Sequence, residues 1–360
     1  MKEIVIKTSK QYSALIEEGL LAKAGRELAR IHNPSEGTKL CLLCDSNVYR
    51  LYGKGGMPLC TSLLEAGFDV YAYVFEPGEQ SKSLATVEDL TGFLSDNEFT
   101  RSDCIAALGG GITGDIAGFA ASVFMRGISY VQIPTSLLAA ADSSVGGKTG
   151  VNTDAGKNML GTFWQPDLVL FDPETLNTLP EEELLNGLAE IIKCAFIADG
   201  SIIDAISEGL AEAAARAIEV KRDIIEKDER EKGERRLLNL GHTIGHAIEK
   251  CSDYSIPHGL AVISGMYLIS LAADSEGWSD EPVAHLIRKV MDAFSYELVT
   301  DYSAEELASA ALHDKKRSGD DITIVYPDRP GHSTLKSIPA DRLEELISCG
   351  LEKGRSENGN

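Results

Sequence analysis

The chain has 360 residues, of which 43% are hydrophobic and 25% charged, and a formal net charge of −22. That length exceeds one typical core and points to two domains. So acidic a balance excludes a general nucleic-acid binder, and any anionic ligand must be met by a local cluster of Lys, Arg and His.

The N-terminus, MKEIVIKTSKQY, alternates like a strand and carries charges, without the apolar core of a signal peptide. No run of 18 apolar residues occurs, so no membrane span is expected. The seven cysteines, Cys41, Cys44, Cys60, Cys104, Cys194, Cys251 and Cys349, follow no framework spacing and fit a reduced, cytoplasmic setting. Cys41 and Cys44 lie in an apolar run and read as core thiols, since no second pair completes a zinc site.

Up to residue 180, short apolar runs alternate with helical patterns. Strands are expected at 4–7, 40–44, 70–74, 104–108, 130–133 and 168–171, with helices such as 58–66 and 84–97 between them. This alternation indicates an α/β domain with a mostly parallel sheet, whose ligands sit beyond the carboxyl ends of the strands. Three of those ends carry polar turns: Asp45-Ser46-Asn47, the stretch 76–82, and GGGITGD at 109–115. A strand, a glycine turn and a helix start can cradle a pyrophosphate, although the spacing is not GxGxxG. Residues 142–158, DSSVGGKTGVNTDAGKN, read as a long polar loop carrying Lys148 and Lys157. Gly146-Gly147-Lys148-Thr149 is not a P-loop, because that motif's first glycine would fall at Asp142.

Beyond residue 180 the pattern turns helical, at 181–197, 202–231, 235–250, 259–273, 283–294 and 340–352. Brief strand signals return at 322–326 and 333–338. The expected organisation is an α/β domain over 1–179, a mainly α-helical domain over 180–353, and a disordered polar tail over 354–360. On a continuous helix over 235–250, RRLLNLGHTIGHAIEK, residues Arg235, Asn239, His242 and His246 share a stripe about 60° wide. Gly241 and Gly245 weaken such a helix and point to close packing. His242 and His246, spaced i, i+4, could chelate zinc with a third ligand from His258 or Glu190.

The stretches GGGITGDIAGFAAS, RGISYVQIPTSLLA, DSSVGGKTGVN, GKNMLGTFWQP, LNTLP, GLAEIIK, LNLGHTIGHAIE, HG and DKK occur in that order from Gly109 to Lys316. In them the chain resembles the 3-dehydroquinate synthase family of sugar phosphate cyclases. The resemblance implies that the N-terminal domain binds NAD. Asp45, Asn47, Glu79 and Lys82 match cofactor positions, as do Gly111, Ile112, Thr113, Gly114 and Asp115. Thr135, Ser136, Lys148, Lys157, Thr175 and Thr178 complete that set.

The resemblance also replaces the i, i+4 chelate with Glu190, His242 and His258 as ligands of one zinc or cobalt ion. It places Arg126, Lys157, Asn158 and one of Lys315 and Lys316 at substrate positions. His246, Asn239, Lys148, Lys193, Lys221, Arg235 and Asp142 match catalytic and substrate-contacting ones. The implied reaction converts 3-deoxy-D-arabino-heptulosonate 7-phosphate, a sugar acid phosphate, to 3-dehydroquinate and phosphate. It runs by transient oxidation with NAD, phosphate elimination, re-reduction and aldol closure, so NAD is not consumed. A homodimer sharing Arg126 is implied as well. The chain departs from the pattern at Leu260, where a glutamate is usual, and at Thr135-Ser136. The rivals are an inosose- or valiolone-forming cyclase, which would alter the carboxylate-binding positions, and a metal-dependent alcohol dehydrogenase, which would release NADH.

Overall fold

The computed structural model describes residues 1–32, 34, 37–154, 156–313 and 321–358, apart from the side chains of 313, 357 and 358. The chain divides into two compact units, Met1–Leu184 with Lys221–Glu229, and Leu185–Val220 with Arg230–Asn360. The nine residues 221–229 thus fall in the first unit, although the composition shifts near residue 180.

The first unit is built on strands β1 (Lys2–Lys7), β2 (Gln11–Ile16), β3 (Thr38–Asp45), β4 (Phe68–Phe75), β5 (Cys104–Gly109), β6 (Ser129–Pro134) and β9 (Leu168–Phe171). They form one sheet in the order β1-β2-β9-β6-β5-β3-β4. Only the β1–β2 hairpin is antiparallel; every other pairing in the sheet is parallel. The fold is therefore the mostly parallel α/β layer that the sequence implies. Strand β2 escapes the sequence reading because its start, Gln-Tyr-Ser, interrupts the apolar pattern.

The central strands β3 and β5 carry long apolar runs because both faces are covered. Leu40, Leu42, Cys44, Ala106 and Leu108 pack on one side, and Cys41, Leu43, Ile105 and Ala107 on the other. The covering helices are α1 (Ala24–His32) and α3 (Pro58–Glu65), α4 (Leu84–Asp96) and α5 (Gly111–Val123); the single turn α2 (Ser46–Val48) follows β3.

The expected loop over 142–158 is instead a turn, Ala139–Ser143, followed by an antiparallel ribbon of β7 (Lys148–Thr153) and β8 (Gly156–Phe163). Its pattern was hidden because Gly150 and Gly161 face each other: a Cβ on Gly150 would stand 2.6 Å from Leu160 O. Such close backbone approach leaves no apolar alternation to read.

In the second unit, α6 (Glu181–Ile197), α7 (Ile202–Glu208), α8 (Leu210–Lys227), α9 (His242–Cys251), α10 (His258–Ser275), α11 (Ala284–Ala293), α12 (Ala304–His313) and α13 (Arg342–Asn358) accompany the hairpin β10 (Asp321–Arg329) and β11 (His332–Pro339). Helices α6 and α8 each begin or end in the first unit.

Three expectations are corrected. The helix over 202–231 breaks at Gly209, whose φ of 148° no L side chain adopts readily. The tail continues α13 to Asn358. The helix over 235–250 is a 3₁₀ segment, Glu234–Asn239, then α9, divided at Gly241 with φ 78°. Among the described residues no helix is long and apolar enough to cross a membrane.

Candidate functional site

In the first unit two of the three polar strand ends are joined by an ion pair, Lys82 to Asp115, and the third caps its own turn. Asp45, at the end of β3, caps α2 by accepting from the amides of Asn47 (2.8 Å) and Val48 (3.0 Å). After β4, Lys82 is buried and its Nζ reaches Asp115 Oδ2 on α5 and Asn158 Oδ1 on β8, each at 2.6 Å. Burial raises the Asp115 carboxyl, and the Lys82 ammonium offsets part of that rise. Glu79 accepts from Asn152 Nδ2 at 2.7 Å, and Asn152 Oδ1 accepts from the Asn158 amide at 2.9 Å. Asn158 adopts a left-handed φ of 55°.

Helix α5 starts at Gly111 directly after β5, so Gly111, Ile112 and Thr113 supply its first amides. Gly114 has a packing reason: a Cβ there would stand 2.4 Å from Gln132 Oε1. Thr135 donates its amide to Gly109 O at 3.0 Å, and Ser136 Oγ accepts from Ala139 N at 3.2 Å. Thr175 is buried and donates to Asp172 O, while Thr178 meets Tyr52 at 2.6 Å.

Lys148 and Lys157 do not sit together. Lys148 pairs with Phe163 at the open end of the ribbon, and Lys157 lies near its turn, roughly 14 Å away along the strands. Lys221 Nζ bonds Asp142 through both Oδ1 (2.8 Å) and the carbonyl (2.6 Å). Arg126 is exposed, and it follows Met125 in a second consecutive left-handed conformation, φ 48° then 69°. Two such residues in a row are strained.

The second unit holds the densest chemistry. Glu190 and Lys193, one turn apart on α6, are each 2% exposed and paired through Glu190 Oε2. The other oxygen, Oε1, lies 3.5 Å from His258 Nε2 and 3.7 Å from His242 Nε2. It is buried and accepts no hydrogen bond. His242 Nδ1 faces Leu240 O at 3.1 Å, and His258 Nδ1 faces Glu249 Oε2 at 3.2 Å. Carbonyls and carboxylates only accept, so both rings carry a proton on Nδ1. Burial, then the Lys193 charge, holds His242 well below the ordinary histidine value, so that its Nε2 keeps a lone pair.

Burial opposes the Glu190 charge, yet Lys193 and the two histidines hold that carboxyl well below its usual range. Burial likewise opposes charge on His258, but the Glu190 and Glu249 carboxylates push it up to about 10. The second proton on His258 then answers the buried carboxylate, and a cation would take its place. One carboxylate oxygen and two imidazole nitrogens aimed at one point suit a divalent metal of the zinc or cobalt type.

Among the described residues the i, i+4 pair does not fall in one three-residue group. His242 groups with Glu190 and His258, whereas His246 groups with Glu249 and His258. The rings of His242 and His246 stand edge to face, 5.1 Å apart. Close helix packing brings the three histidines together: a Cβ on Gly241 would lie 2.4 Å from Val262 O, and one on Gly245 would lie 3.1 Å from Ala261 O.

Arg235 is buried, and Asn239 donates to Glu231 Oε1 at 2.8 Å. Because the chain turns at Gly241, Arg235 and Asn239 do not share a helical stripe with the histidines. Lys315 and Lys316 lie outside the described residues. The sequence reading missed Asn152, Glu231 and Glu249. Glu249 was open to it, since it lies at i+7 from His242 on the same helix face.

Family models described as 3-dehydroquinate synthase N-terminal and C-terminal match residues 72–186 and 187–317. The chain belongs to the 3-dehydroquinate synthase family. It is 42% identical to a 3-dehydroquinate synthase of Streptococcus mutans serotype c, over 94% of this chain and 97% of that one. Its fold matches a 2-deoxy-scyllo-inosose synthase complexed with carbaglucose-6-phosphate, NAD+ and Co2+ (TM-score 0.85, 24% identity, 96% of this chain and 99% of that one). It also matches a 2-epi-5-epi-valiolone synthase from Streptomyces hygroscopicus subsp. jinggangensis with NAD+ and Zn2+ bound (TM-score 0.82, 26% identity, 97% and 99%).

Proposed function

We propose that this protein is a carbon–oxygen lyase that converts 3-deoxy-D-arabino-heptulosonate 7-phosphate to 3-dehydroquinate and phosphate. The observation that carries the reading is the buried Glu190 Oε1 facing two histidine nitrogens, in a member of this family. In this reading Glu190, His242 and His258 hold zinc or cobalt, and the corner around Asp45, Glu79, Lys82, Gly111–Asp115, Thr135, Ser136, Thr175 and Thr178 holds NAD. NAD would accept and return a hydride while the metal polarises the substrate's hydroxyl.

The protein's own groups bind and orient the substrate and move its protons. By the family resemblance, Lys148, Lys157, Asn158, Lys193, Lys221, Arg235 and one of Lys315 and Lys316 bind the substrate's phosphate and carboxylate, which in so acidic a protein need cations supplied at the site. Asp142 orients Lys221, and Glu231 orients Asn239. His246, exposed beside the proposed ligands, relays protons, and Asn239 binds a substrate hydroxyl. The strained, exposed Arg126 serves a neighbouring subunit in a homodimer, and the free cysteines suit a cytoplasmic enzyme.

The test is phosphate release from this heptulosonate phosphate by the purified protein with NAD and a divalent metal. Phosphate should appear without net NADH. Stoichiometric NADH would instead establish a dehydrogenase, and turnover confined to hexose or heptulose phosphates lacking the carboxylate would establish one of the other cyclases.

A further inference from the structure

Glu249 is a carboxylate that no step above requires. It is 7% exposed, and a buried carboxylate costs free energy unless it is paired. Its Oε2 lies 3.2 Å from His258 Nδ1, while Nε2 of the same ring lies 3.5 Å from Glu190 Oε1. The ring is therefore flanked at both nitrogens by carboxylates on two other helices, and only the one on Glu249 makes a hydrogen bond to it. His242 is held differently, by a neutral carbonyl, Leu240 O.

The two rings also differ in freedom. His242 follows the tight packing at Gly241, whereas His258 opens α10 with 27% of its side chain exposed. An imidazole so placed needs a partner to fix its plane and its tautomer. Leu260, two residues on, offers no acceptor.

We propose that Glu249 is a positioning residue for His258: its carboxylate holds the proton on Nδ1 and turns Nε2 toward Glu190, making His258 the stronger of the two histidine donors. A charged acceptor on the far nitrogen raises the basicity of the coordinating one and fixes its direction. This rests on Glu190, His242 and His258 being the metal ligands.

The experiment is zinc affinity by competition with a chromophoric chelator, on the full chain carrying Glu249→Ala, Glu249→Gln or His258→Ala. Circular dichroism checks the fold, and the visible spectrum is taken after cobalt loading. Glu249→Ala should weaken zinc binding by about 10–100-fold. Glu249→Gln, which keeps an acceptor but not the charge, should lose less and shift the cobalt bands. If Glu249→Ala fails to fold, Glu249→Gln alone decides. Unchanged affinity and spectrum in the Glu249 variants, with metal lost in His258→Ala, overturns the positioning role and leaves the metal reading standing. Metal retained by His258→Ala overturns the metal reading itself. Two zinc ions bound by wild type and one by Glu249→Ala would make Glu249 a ligand, which also overturns the proposal.

Discussion

The corner of the first unit and the histidine cluster of the second are both polar, each around a buried charged group, Lys82 and Glu190, yet they are satisfied differently. In the corner, Lys82 meets Asp115 and Asn158, Glu79 meets Asn152, and Lys221 meets Asp142, so each charge answers a group of the chain itself. In the cluster, Glu190 Oε1 accepts no hydrogen bond and stands opposite two ring nitrogens. A self-satisfied polar surface presents a fixed shape to a ligand. An unmet buried acceptor demands one. The first arrangement therefore suits a cofactor held by many weak contacts, and the second a single ion held by a few strong ones.

The largest effects should separate roles within the cluster. His258→Ala should abolish stoichiometric metal after dialysis, measured by elemental analysis, together with activity. His246→Ala should keep the metal and lose turnover by about 10²–10⁴-fold, the range for a positioned proton-transfer group. If His246→Ala loses the metal instead, the ligands are His246, Glu249 and His258, and the contrast between an exposed relay and a buried triad fails.

The two regions were also unequally legible. The corner showed in the sequence because β3 and β5, buried on both faces, and the edge strand β4 each leave an apolar run, and the polar turns after Cys44, Phe75 and Leu108 stand out against them. The ribbon over 148–163 did not, because facing glycines and solvent-exposed residues such as Met159 and Leu160 carry no period-2 pattern. Glu190, His242 and His258 lie on three helices, 68 residues from first to last, and no spacing rule connects Glu190 to His258. Only the family motifs did so. The one spacing signal in that region, i, i+4 between His242 and His246, pointed to two residues that fall in different three-residue groups. Gly241 broke the expected helix because α10 passes too close for a side chain, and one chain's periodicity does not record what packs against it.

That packing gives the next comparison. At Gly241, φ is 78° and a Cβ would meet backbone, Val262 O at 2.4 Å and Met266 N at 2.9 Å. At Gly114, φ is unexceptional and the Cβ would meet the end of the Gln132 side chain. Gly241→Ala should cost roughly 2–4 kcal/mol and displace the cluster, since neither helix backbone can yield cheaply. Gly114→Ala should cost about 1 kcal/mol, because a side chain can move. Chemical denaturation midpoints at constant m-value compare the two, and equal losses would show that the close approach of α9 and α10 is not specially demanding.

A smaller effect tests whether corner and cluster are independent. Lys82→Met leaves Asp115 without its ammonium and should weaken NAD about 10–100-fold, the worth of a charge-assisted hydrogen bond. Zinc affinity should not change. A fall in zinc affinity would mean that the corner supports the cluster, contrary to the separate ways in which the two are satisfied.

The smallest expected effect is an absence of reaction. In the first unit Cys41, Cys44, Cys60 and Cys104 are all buried, and in the second Cys194 is buried while Cys251 and Cys349 are partly exposed. Burial, and then the neighbouring Asp45, pushes the Cys44 thiol up to about 12, and burial raises Cys41 and Cys104 as well. The thiolate is the form that alkylates, so at pH 8 these thiols are both uncharged and inaccessible. Iodoacetamide followed by peptide mass mapping should label Cys251 and Cys349 in the native protein and leave the first unit untouched until denaturant is added. Labelling of Cys41 or Cys44 under native conditions would mean that strand β3 opens to solvent. The corner, whose Asp45 lies on that same strand, could not then keep the fixed shape that separates it from the cluster.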